Sequence, residues 1–304
     1  LSQFPRITRP VITTGTFDGV HKGHLHIINR LNALARECNG ESVIFTFVEH
    51  PRIVLHPNDH GLSLLQTNEE KIERLSDAGI QHLVFHPFTK EFSRLSALEY
   101  VRNVLMGQMN VHKMVVGYDH HFGRNREGTF EVLSELADTF GFDVEEIPAK
   151  VVSDSAVSST KIRAALAQGE VEKAGVLLGY TYSISGIVVR GRQLGRKFGF
   201  PTANIVVSHL WKLIPANGVY AVSCTINGQI DALGMLNIGH NPTTGINNPR
   251  SIELHIFDWN ENIYDQNVTL RFVSRIREEI KFSSMEALKE QLILDRQKSI
   301  SILT

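Results

Sequence analysis

The sequence predicts an α/β domain followed by a small, mainly antiparallel β-barrel domain that ends in a helix. Between residues 10 and 179, short β-rich runs alternate with helical patterns, which favours a parallel sheet covered by helices on both faces. From residue 180 onward, closely spaced β-type segments follow one another without helices between them, which is typical of a barrel. A chain of 304 residues is longer than one core usually supports, so we expect two domains, 1–180 and 181–304.

Composition and charge argue against a nucleic-acid-binding or membrane protein. The chain has 31 basic and 32 acidic residues and a net charge of -1, which gives no signal for nucleic-acid binding. No apolar run approaches the length of a membrane-spanning helix, so no membrane partner is expected. The two cysteines, Cys38 and Cys224, are far apart and fit a reducing compartment. These features predict a cytoplasmic protein.

The elements of the first domain follow from hydrophobic period and capping signals. Five short runs read as strands: 10–14, 42–47, 80–85, 113–116 and 143–147. Helical patterns begin at residue 22, at 128 and after two capping boxes, Thr67 with Glu70 and Ser96 with Glu99. Ligands of such a sheet bind beyond the carboxyl ends of its strands.

The second domain is predicted from period-two alternation. The strand-like runs that we single out are 183–189, 218–226, 229–238, 251–257 and 267–273. Asn227-Gly228 predicts a tight hairpin, and residues 191–204 read as a basic, glycine-punctuated loop. Ser284 begins a terminal helix whose predicted inner stripe contains Met285, Leu288 and Leu292.

A glycine-rich turn, TGTFDGVHKGH at residues 14–24, joins the first strand to the first helix. Its glycines allow a ligand to approach the backbone, and a helix N-terminus favours an anion such as a triphosphate. His21 and His24 share one side of the first helical turn and offer hydrogen-bond donors to a reacting phosphate. On the residues alone, a metal site or a structural turn remains an alternative.

A second anion site is predicted at residues 157–163, VSSTKIR. An N-cap needs only one hydroxyl, whereas this segment places three before a helix with Lys161 and Arg163 in its first turn. Hydroxyls and bases at a helix N-terminus suit the β and γ phosphates of a nucleotide.

The motifs GTFDGVHKGH, FTFVEHP, GYDHHFGRNREG and VSSTKIR together resemble the nucleotidyltransferase half of the bacterial bifunctional riboflavin kinase and FAD synthetase family. The resemblance covers residues 10–180 and implies a Rossmann-like domain that transfers an adenylyl group from ATP to FMN, releasing pyrophosphate and FAD. It assigns His21 and His24 to the α-phosphate. The residues implied to bind ATP are Gly15, Phe17, Asp18, Gly23, Ser158, Ser159, Thr160 and Arg163. Those implied to bind flavin are Asp119, Phe122 and Arg124.

The second half resembles the riboflavin kinase domain of the same family through GRKFGFPTAN, GVYAV, LNIG followed by PTTG, IELHIFD and a basic run at 271–281. The resemblance implies ATP-dependent phosphorylation of riboflavin to FMN, with Glu253 as the catalytic base. The residues implied to bind ATP or its phosphates are Gly191, Gly195, Gly199, Pro201, Thr202, Asn204 and Asn237. Thr202 and Asn204 are also the implied ligands of Mg²⁺.

The two reactions differ in their need for a base. The FMN phosphate has a second pKa of about 6, so it is already ionised and the first half needs no catalytic carboxylate. A ribityl hydroxyl must lose a proton, and Glu253 stands on a predicted strand whose other face is apolar. The alternative for Glu253 is an exposed strand glutamate.

The chain departs from the family pattern at His120, His121 and Asn241, where relatives usually carry an aromatic residue and two arginines. Three hypotheses therefore stay open: a bifunctional enzyme, an enzyme with one activity, and a flavin- or nucleotide-binding regulator without turnover. The sequence makes no prediction of oligomeric state, FMN transfer between the sites, product inhibition or a preference for Mg²⁺ over Mn²⁺.

Overall fold

The computed structural model describes residues 6–58, 61–148, 157–191, 195, 199–240 and 250–304. The chain divides into two compact units, Leu1–Ser159 and Thr160–Thr304, and each is described by itself. The domain boundary that we place near Tyr180 stays a prediction. Among the described residues, no helix combines the length and the apolar content needed to cross a membrane.

The first unit contains a five-stranded sheet in the order β3-β2-β1-β4-β5, in which every pair is parallel. The strands are β1 Pro10–Thr14, β2 Glu41–Phe47, β3 His82–His86, β4 Lys113–Gly117 and β5 Asp143–Ile147. All five predicted strands are confirmed. β3 begins two residues later than predicted, and the Gln81 side chain accepts the Ser42 N–H at 2.8 Å at that point.

Helices cover both faces of this sheet. They are α1 Lys22–Glu37, α2 Pro51–Leu55, α3 Asn68–Asp77, α4 Ala97–Glu99, a π-helical continuation of α4 at Tyr100–Met106, and α5 Phe130–Phe140. Both predicted capping boxes are present, at Thr67 with Glu70 and at Ser96 with Glu99. α5 starts two residues later than predicted because Thr129 is its N-cap.

The sheet reverses its winding between β1 and β4. From β1 the chain moves outward to β2 and β3, and it later returns to place β4 on the other side of β1. The register pairs Val11 with Lys113 and Ile12 with Met114. The loops that leave the carboxyl ends of β1 and β4 therefore diverge around a crevice, which is where open α/β sheets bind ligands.

The second unit is a closed barrel with strand order β10-β7-β6-β11-β8-β9, in which neighbouring strands are antiparallel. Its strands are β6 Ser183–Val189, β7 Ala203–Val206, β8 Gly218–Ile226, β9 Ile230–His240, β10 Arg250–Ile256 and β11 Asn267–Arg277. The other described helices are α6 Ser159–Ala167, α7 Val171–Leu178 and the terminal α8 Met285–Leu303. The predicted barrel and the Asn227-Gly228 hairpin are confirmed.

Two details of the second unit correct the sequence analysis. β7 begins inside the segment 191–204 that we read as a loop, because Ala203–Val206 pairs with both β6 and β10. The inner face of α8 is also more polar than predicted. Met285 is 48% exposed, whereas Asp295 is 1% exposed and forms an ion pair with Arg277 at 2.8 Å. At this point, α8 is therefore held to the barrel by an ion pair with Arg277 of β11 and not by the predicted apolar contacts.

Candidate functional site

The turn between β1 and α1, residues 14–24, is called the histidine turn below. His21 is the N-cap of α1, and its ring nitrogen Nδ1 accepts the backbone N–H of His24 at 3.3 Å. The two imidazole rings stack with centroids 3.7 Å apart and 13° between their planes. The predicted sharing of one helical side is therefore confirmed as direct ring contact.

The backbone of the histidine turn is tightly folded and held from several sides. Phe17 and Val20 adopt positive φ values of 47° and 32°. The Gly15 N–H donates to the carbonyl of Phe45 in β2 at 3.2 Å. The side-chain amide of Gln66 donates to the Phe17 carbonyl at 2.8 Å. These bonds fix the turn before any ligand is present.

Asp18 fastens the histidine turn to two other segments. Its buried carboxylate accepts the Leu65 N–H at 3.0 and 3.2 Å. The Ser159 hydroxyl donates to the Asp18 carbonyl at 2.9 Å. Asp18 thus links the histidine turn to the segment that precedes α3. Ser159, one of the hydroxyl residues predicted to bind ATP, contacts the same turn.

His24 is held in its neutral form. Burial, with smaller contributions from His21 and Lys71, lowers the pKa of His24 well below its ordinary value of 6.5. Its Nδ1 atom is buried and has no hydrogen-bond partner among the described residues. Phe17 packs against the ring with centroids 5.0 Å apart. A neutral imidazole has one donor and one acceptor, so His24 offers a hydrogen bond rather than a full charge.

Lys71 of α3 is a buried cation beside the histidine turn that sequence reasoning missed. It is 8% exposed, and its Nζ lies 5.7 Å from the centroid of the Phe85 ring. Burial lowers the pKa of Lys71 to about 8, while Asp18 opposes that shift. In the sequence Lys71 lies in the polar run NEEKIER, which gives no sign of its burial.

Aromatic side chains gather at the carboxyl edge of β2, β3 and β4. This aromatic cluster consists of Phe45, Phe47, His86, Phe88, Phe92, Tyr100 and Phe122. Phe122, a predicted flavin contact, lies at one end against Tyr100, with ring centroids 5.5 Å apart. The aromatic residues at the strand ends are visible in the sequence. That they pack against one another cannot be predicted without the fold.

The other two predicted flavin contacts, Asp119 and Arg124, are exposed. The Arg124 guanidinium forms an ion pair with Glu127 at 3.4 Å. Both follow β4, so they lie on the same side of the sheet as Phe122.

His120 lies between the histidine turn and the aromatic cluster. Its Nε2 is 3.5 Å from the Thr14 hydroxyl, and its ring stacks on Phe122 at a centroid distance of 6.0 Å. Burial lowers the pKa of His120 to about 4, with Asp119 opposing the shift. One of the three departures from the family pattern is therefore a neutral histidine inside the crevice.

The segment 157–163 is divided between the two units. Ser158 and Ser159 belong to the first unit, and Thr160 and Arg163 belong to the second. The roles assigned to Thr160 and Arg163 stay predictions.

In the second unit, three predicted residues come together on three adjacent strands, and a fourth, Thr202, immediately precedes one of them. Glu253 of β10 pairs with Asn204 of β7 on one side and with Asn237 of β9 on the other. The Thr202 hydroxyl donates to Glu253 Oε2 at 3.4 Å. Glu253 is half-buried, so the reading as an ordinary exposed strand glutamate does not describe its surroundings.

The predicted glycines of the second unit lie at close backbone approaches. A Cβ atom on Gly191 would lie 1.9 Å from Asn204 Nδ2, so only glycine leaves room for that amide. A Cβ on Gly195 would lie 2.1 Å from the Phe200 carbonyl. Gly199 has a φ of +80°, which glycine adopts without strain.

The loop is anchored beneath Glu253 by an unpredicted contact. The His255 Nδ1–H donates to the Pro201 carbonyl at 2.8 Å, and the His255 ring lies against Phe200 with centroids 5.2 Å apart. Pro201 itself is exposed. The predicted positions 192–194, 196–198, Asn241 and the PTTG segment lie outside the described residues.

The residues present fit a hard cation only in part. Within the described ranges, no group of three or more His, Cys, Asp or Glu side chains is arranged to hold a metal ion. The Thr202 hydroxyl uses its proton toward Glu253 and keeps its oxygen lone pairs, and Asn204 presents an amide oxygen two residues on. Such neutral oxygens suit Mg²⁺ when phosphate oxygens complete the shell.

The fold and these side chains define a chain that joins a nucleotide-binding type of α/β unit to a six-stranded barrel with a glutamate site. A family profile described as FAD synthetase matches residues 5–161, and one described as riboflavin kinase matches residues 178–303.

Curated relatives match nearly the whole chain. The bifunctional riboflavin kinase/FMN adenylyltransferase of Listeria monocytogenes is 37% identical and covers 94% of this chain and 90% of its own length. The protein of that description from Bacillus subtilis is 35% identical over 96% and 92%, and the one from Escherichia coli K12 is 33% identical over 97% and 93%. The chain belongs to the bifunctional riboflavin kinase/FMN adenylyltransferase family.

A solved structure agrees in fold. A crystal structure from Streptococcus pneumoniae, described as a macrolide-efflux protein, has a TM-score of 0.88 with this chain at 34% identity. The match covers 98% of this chain and 95% of the other. That description applies to the Streptococcus protein.

Proposed function

We propose that this chain makes FMN from riboflavin and ATP in its second unit and makes FAD from FMN and ATP in its first. The observation that carries the proposal is the presence of two unlike sites in one chain. One is a stacked histidine pair at a helix N-terminus, and the other is a glutamate flanked by Thr202, Asn204 and Asn237. Each arrangement suits the reaction assigned to its half.

In the first unit, the histidine turn would align ATP for attack by the FMN phosphate. An FMN oxygen bonds to the α-phosphorus, the bond from that phosphorus to the β-phosphate bridging oxygen breaks, and pyrophosphate leaves. Because the nucleophile is already ionised, the protein supplies alignment and hydrogen bonds instead of a base. His24 and the N–H groups at the start of α1 are the donors for the α-phosphate.

The aromatic cluster would bind the flavin ring. Its edge-to-face and stacked rings form an apolar wall at the carboxyl edge of the sheet, beside the histidine turn. The exposed Asp119 and Arg124 follow β4 and would contact the polar part of the flavin. His120 contacts Thr14 of the histidine turn and Phe122 of the cluster, so its chemistry affects both subsites.

In the second unit, Glu253 would accept the proton of the ribityl hydroxyl as that oxygen attacks the γ-phosphorus of ATP and ADP leaves. Thr202 orients the carboxylate through its hydroxyl. Gly191, Gly195 and Gly199 let the loop backbone approach the phosphates closely. Asn237 flanks Glu253 from β9.

Magnesium is part of the proposal. Thr202 and Asn204 would hold it with phosphate oxygens of ATP, and a bound Mg²⁺ neutralises charge on the transferring phosphate. Removing divalent cations with a chelator is expected to stop both reactions. A cytoplasmic location stays a prediction from cysteine usage.

A single-activity enzyme is the second candidate. The specific observation in its favour is His120, which brings a polar ring into the crevice where the family pattern has an aromatic residue. In that case the second unit would still form FMN. Incubation with riboflavin, ATP and Mg²⁺, followed by chromatography of the flavins, separates the candidates: FMN and FAD for the first, and FMN alone for the second.

A further inference from the structure

The histidine turn lacks the positive charge that a triphosphate calls for. His24 is neutral, and stacking at 3.7 Å disfavours two protonated rings in the pair. Lys22 begins α1 but is exposed. Backbone N–H groups and the helix dipole supply only partial charges. A polyphosphate at this turn therefore calls for cations from other elements, a role that the family resemblance already assigns to Arg163 and that a second cation could share.

Lys71 is a buried cation of the first unit that lies beside this turn. It comes from the second turn of α3, is 8% exposed, and has its Nζ 5.7 Å from the centre of the Phe85 ring in β3. Its charge interacts with Asp18 of the histidine turn and with His24 of α1. Lys71 therefore lies within electrostatic range of the middle of the turn and of its last residue.

The start of α3 is fixed in place by the turn itself. Leu65 donates its N–H to the Asp18 carboxylate, and Gln66 donates its amide to the Phe17 carbonyl. The capping box at Thr67 then starts the helix that carries Lys71 one turn later. The lysine is thus positioned by the same contacts that shape the phosphate turn.

We propose that the Lys71 ammonium binds the departing pyrophosphate portion of ATP at the histidine turn. This inference deepens the proposed adenylyltransferase function and rests on it. Asp18 opposes the lowering of the Lys71 pKa, and its carboxylate also accepts the Leu65 N–H. A phosphate dianion would give the desolvated ammonium the full counter-charge that Asp18 supplies only in part.

The test compares three variants of the full chain. Lys71→Met keeps the length of the side chain without its charge, Lys71→Arg restores a charge, and Lys90→Met removes an exposed lysine of the same unit as a matched control. We expect Lys71→Met to raise both the KM for ATP in FAD formation and the inhibition constant of pyrophosphate by about tenfold to a hundredfold. Lys71→Arg should recover part of the loss, and Lys90→Met should match the wild type.

FMN formation takes place in the second unit and should not change, whereas circular dichroism and thermal unfolding of each variant report whether its first unit is folded. If Lys71→Met keeps its KM for ATP and its pyrophosphate inhibition within twofold of wild type, Lys71 does not bind the phosphates. If wild-type protein makes no FAD from FMN and ATP, the proposed function fails instead, and the two failures are distinguishable.

A second measurement uses the wild-type protein and needs no variant to fold. Trace acylation of amines, read out by peptide mass spectrometry, is repeated with and without pyrophosphate. Labelling of Lys71 relative to Lys90 should fall several-fold when pyrophosphate is present, since a bound phosphate stabilises the unreactive ammonium form and covers it. Unchanged relative labelling at saturating pyrophosphate would overturn the inference.

Discussion

The imidazole rings of His21 and His24 stack face to face, 3.7 Å apart, at the first turn of α1. His21 also caps the helix by accepting the His24 N–H. The spacing of three residues therefore lets the His21 ring cap α1 and stack on His24 at the same time. It also keeps His24 neutral, because burial and the neighbouring ring both lower its pKa.

Replacing His24 separates the two reactions. His24→Ala should let FMN accumulate while FAD formation falls by about a hundredfold or more, since that is the usual cost of losing a donor to a transition-state charge. Steady-state rates with riboflavin, or with supplied FMN, measure this directly. His26→Ala removes an exposed histidine two residues away in α1 and should behave as the wild type. FAD output from His24→Ala within threefold of wild type would refute the role.

Replacing Glu253 should have the converse effect. Glu253→Gln keeps the shape of the side chain but removes the base, so FMN formation should be abolished while FAD formation from supplied FMN continues. Glu261→Gln, an exposed acid after β10, is the control for general effects on the barrel. Comparable loss of both activities in Glu253→Gln would argue against two separate sites.

His120 should make the protein less stable in acid. Its pKa is lowered from 6.5 to about 4 in the folded state, so between these values the unfolded chain binds more protons. The stabilisation is therefore complete above about pH 6.5 and is lost as the pH falls toward 4. Over this pH range, the free energy of unfolding should fall less for His120→Phe than for the wild type, by up to about 3 kcal/mol.

The measurement for His120 is the free energy of unfolding at a series of pH values. The pKa values of His24 and His86 are also lowered by burial, so the variant should remove only part of the acid sensitivity. Parallel pH profiles for wild type and His120→Phe would show that His120 is not protonated in this way.

The ion pair under α8 should be a major contributor to the stability of the second unit. Asp295→Ala strands the Arg277 guanidinium and also removes the acceptor of the Gln291 amide, so we expect a cost of about 3–5 kcal/mol. Asp258→Ala breaks an exposed pair with Arg296 and should cost less than about 1 kcal/mol. Chemical denaturation of both variants checks the difference, and equal costs would contradict this account of the buried pair.

Local signals account for much of what the sequence predicts. The residue types of the two capping boxes predict the hydrogen bonds that the structure contains. The Asn227-Gly228 pair has the positive φ values that its turn requires. The histidine pair is visible because a helix start after a strand fixes which residues share a face. In these places neighbours along the chain determine the structure.

The rest depends on contacts between distant segments. β7 is not evident from the sequence because Ala203 and Asn204 have weak strand propensity, and its pairing with β6 and β10 decides its conformation. From its sequence, Asp295 would be expected on the surface of α8, and its burial depends on the ion pair with Arg277, which lies in another element. Lys71 also lies in a polar stretch of sequence, and the residues that it interacts with, Asp18 and Phe85, are distant along the chain.

The central claim is that one chain performs both flavin reactions. The most direct measurement incubates the purified protein with riboflavin, ATP and Mg²⁺ and follows the flavins by chromatography over time. We predict that FMN appears first and FAD follows, and that supplied FMN is converted to FAD without riboflavin. Formation of FMN without FAD, or turnover of neither riboflavin nor FMN, would contradict the claim.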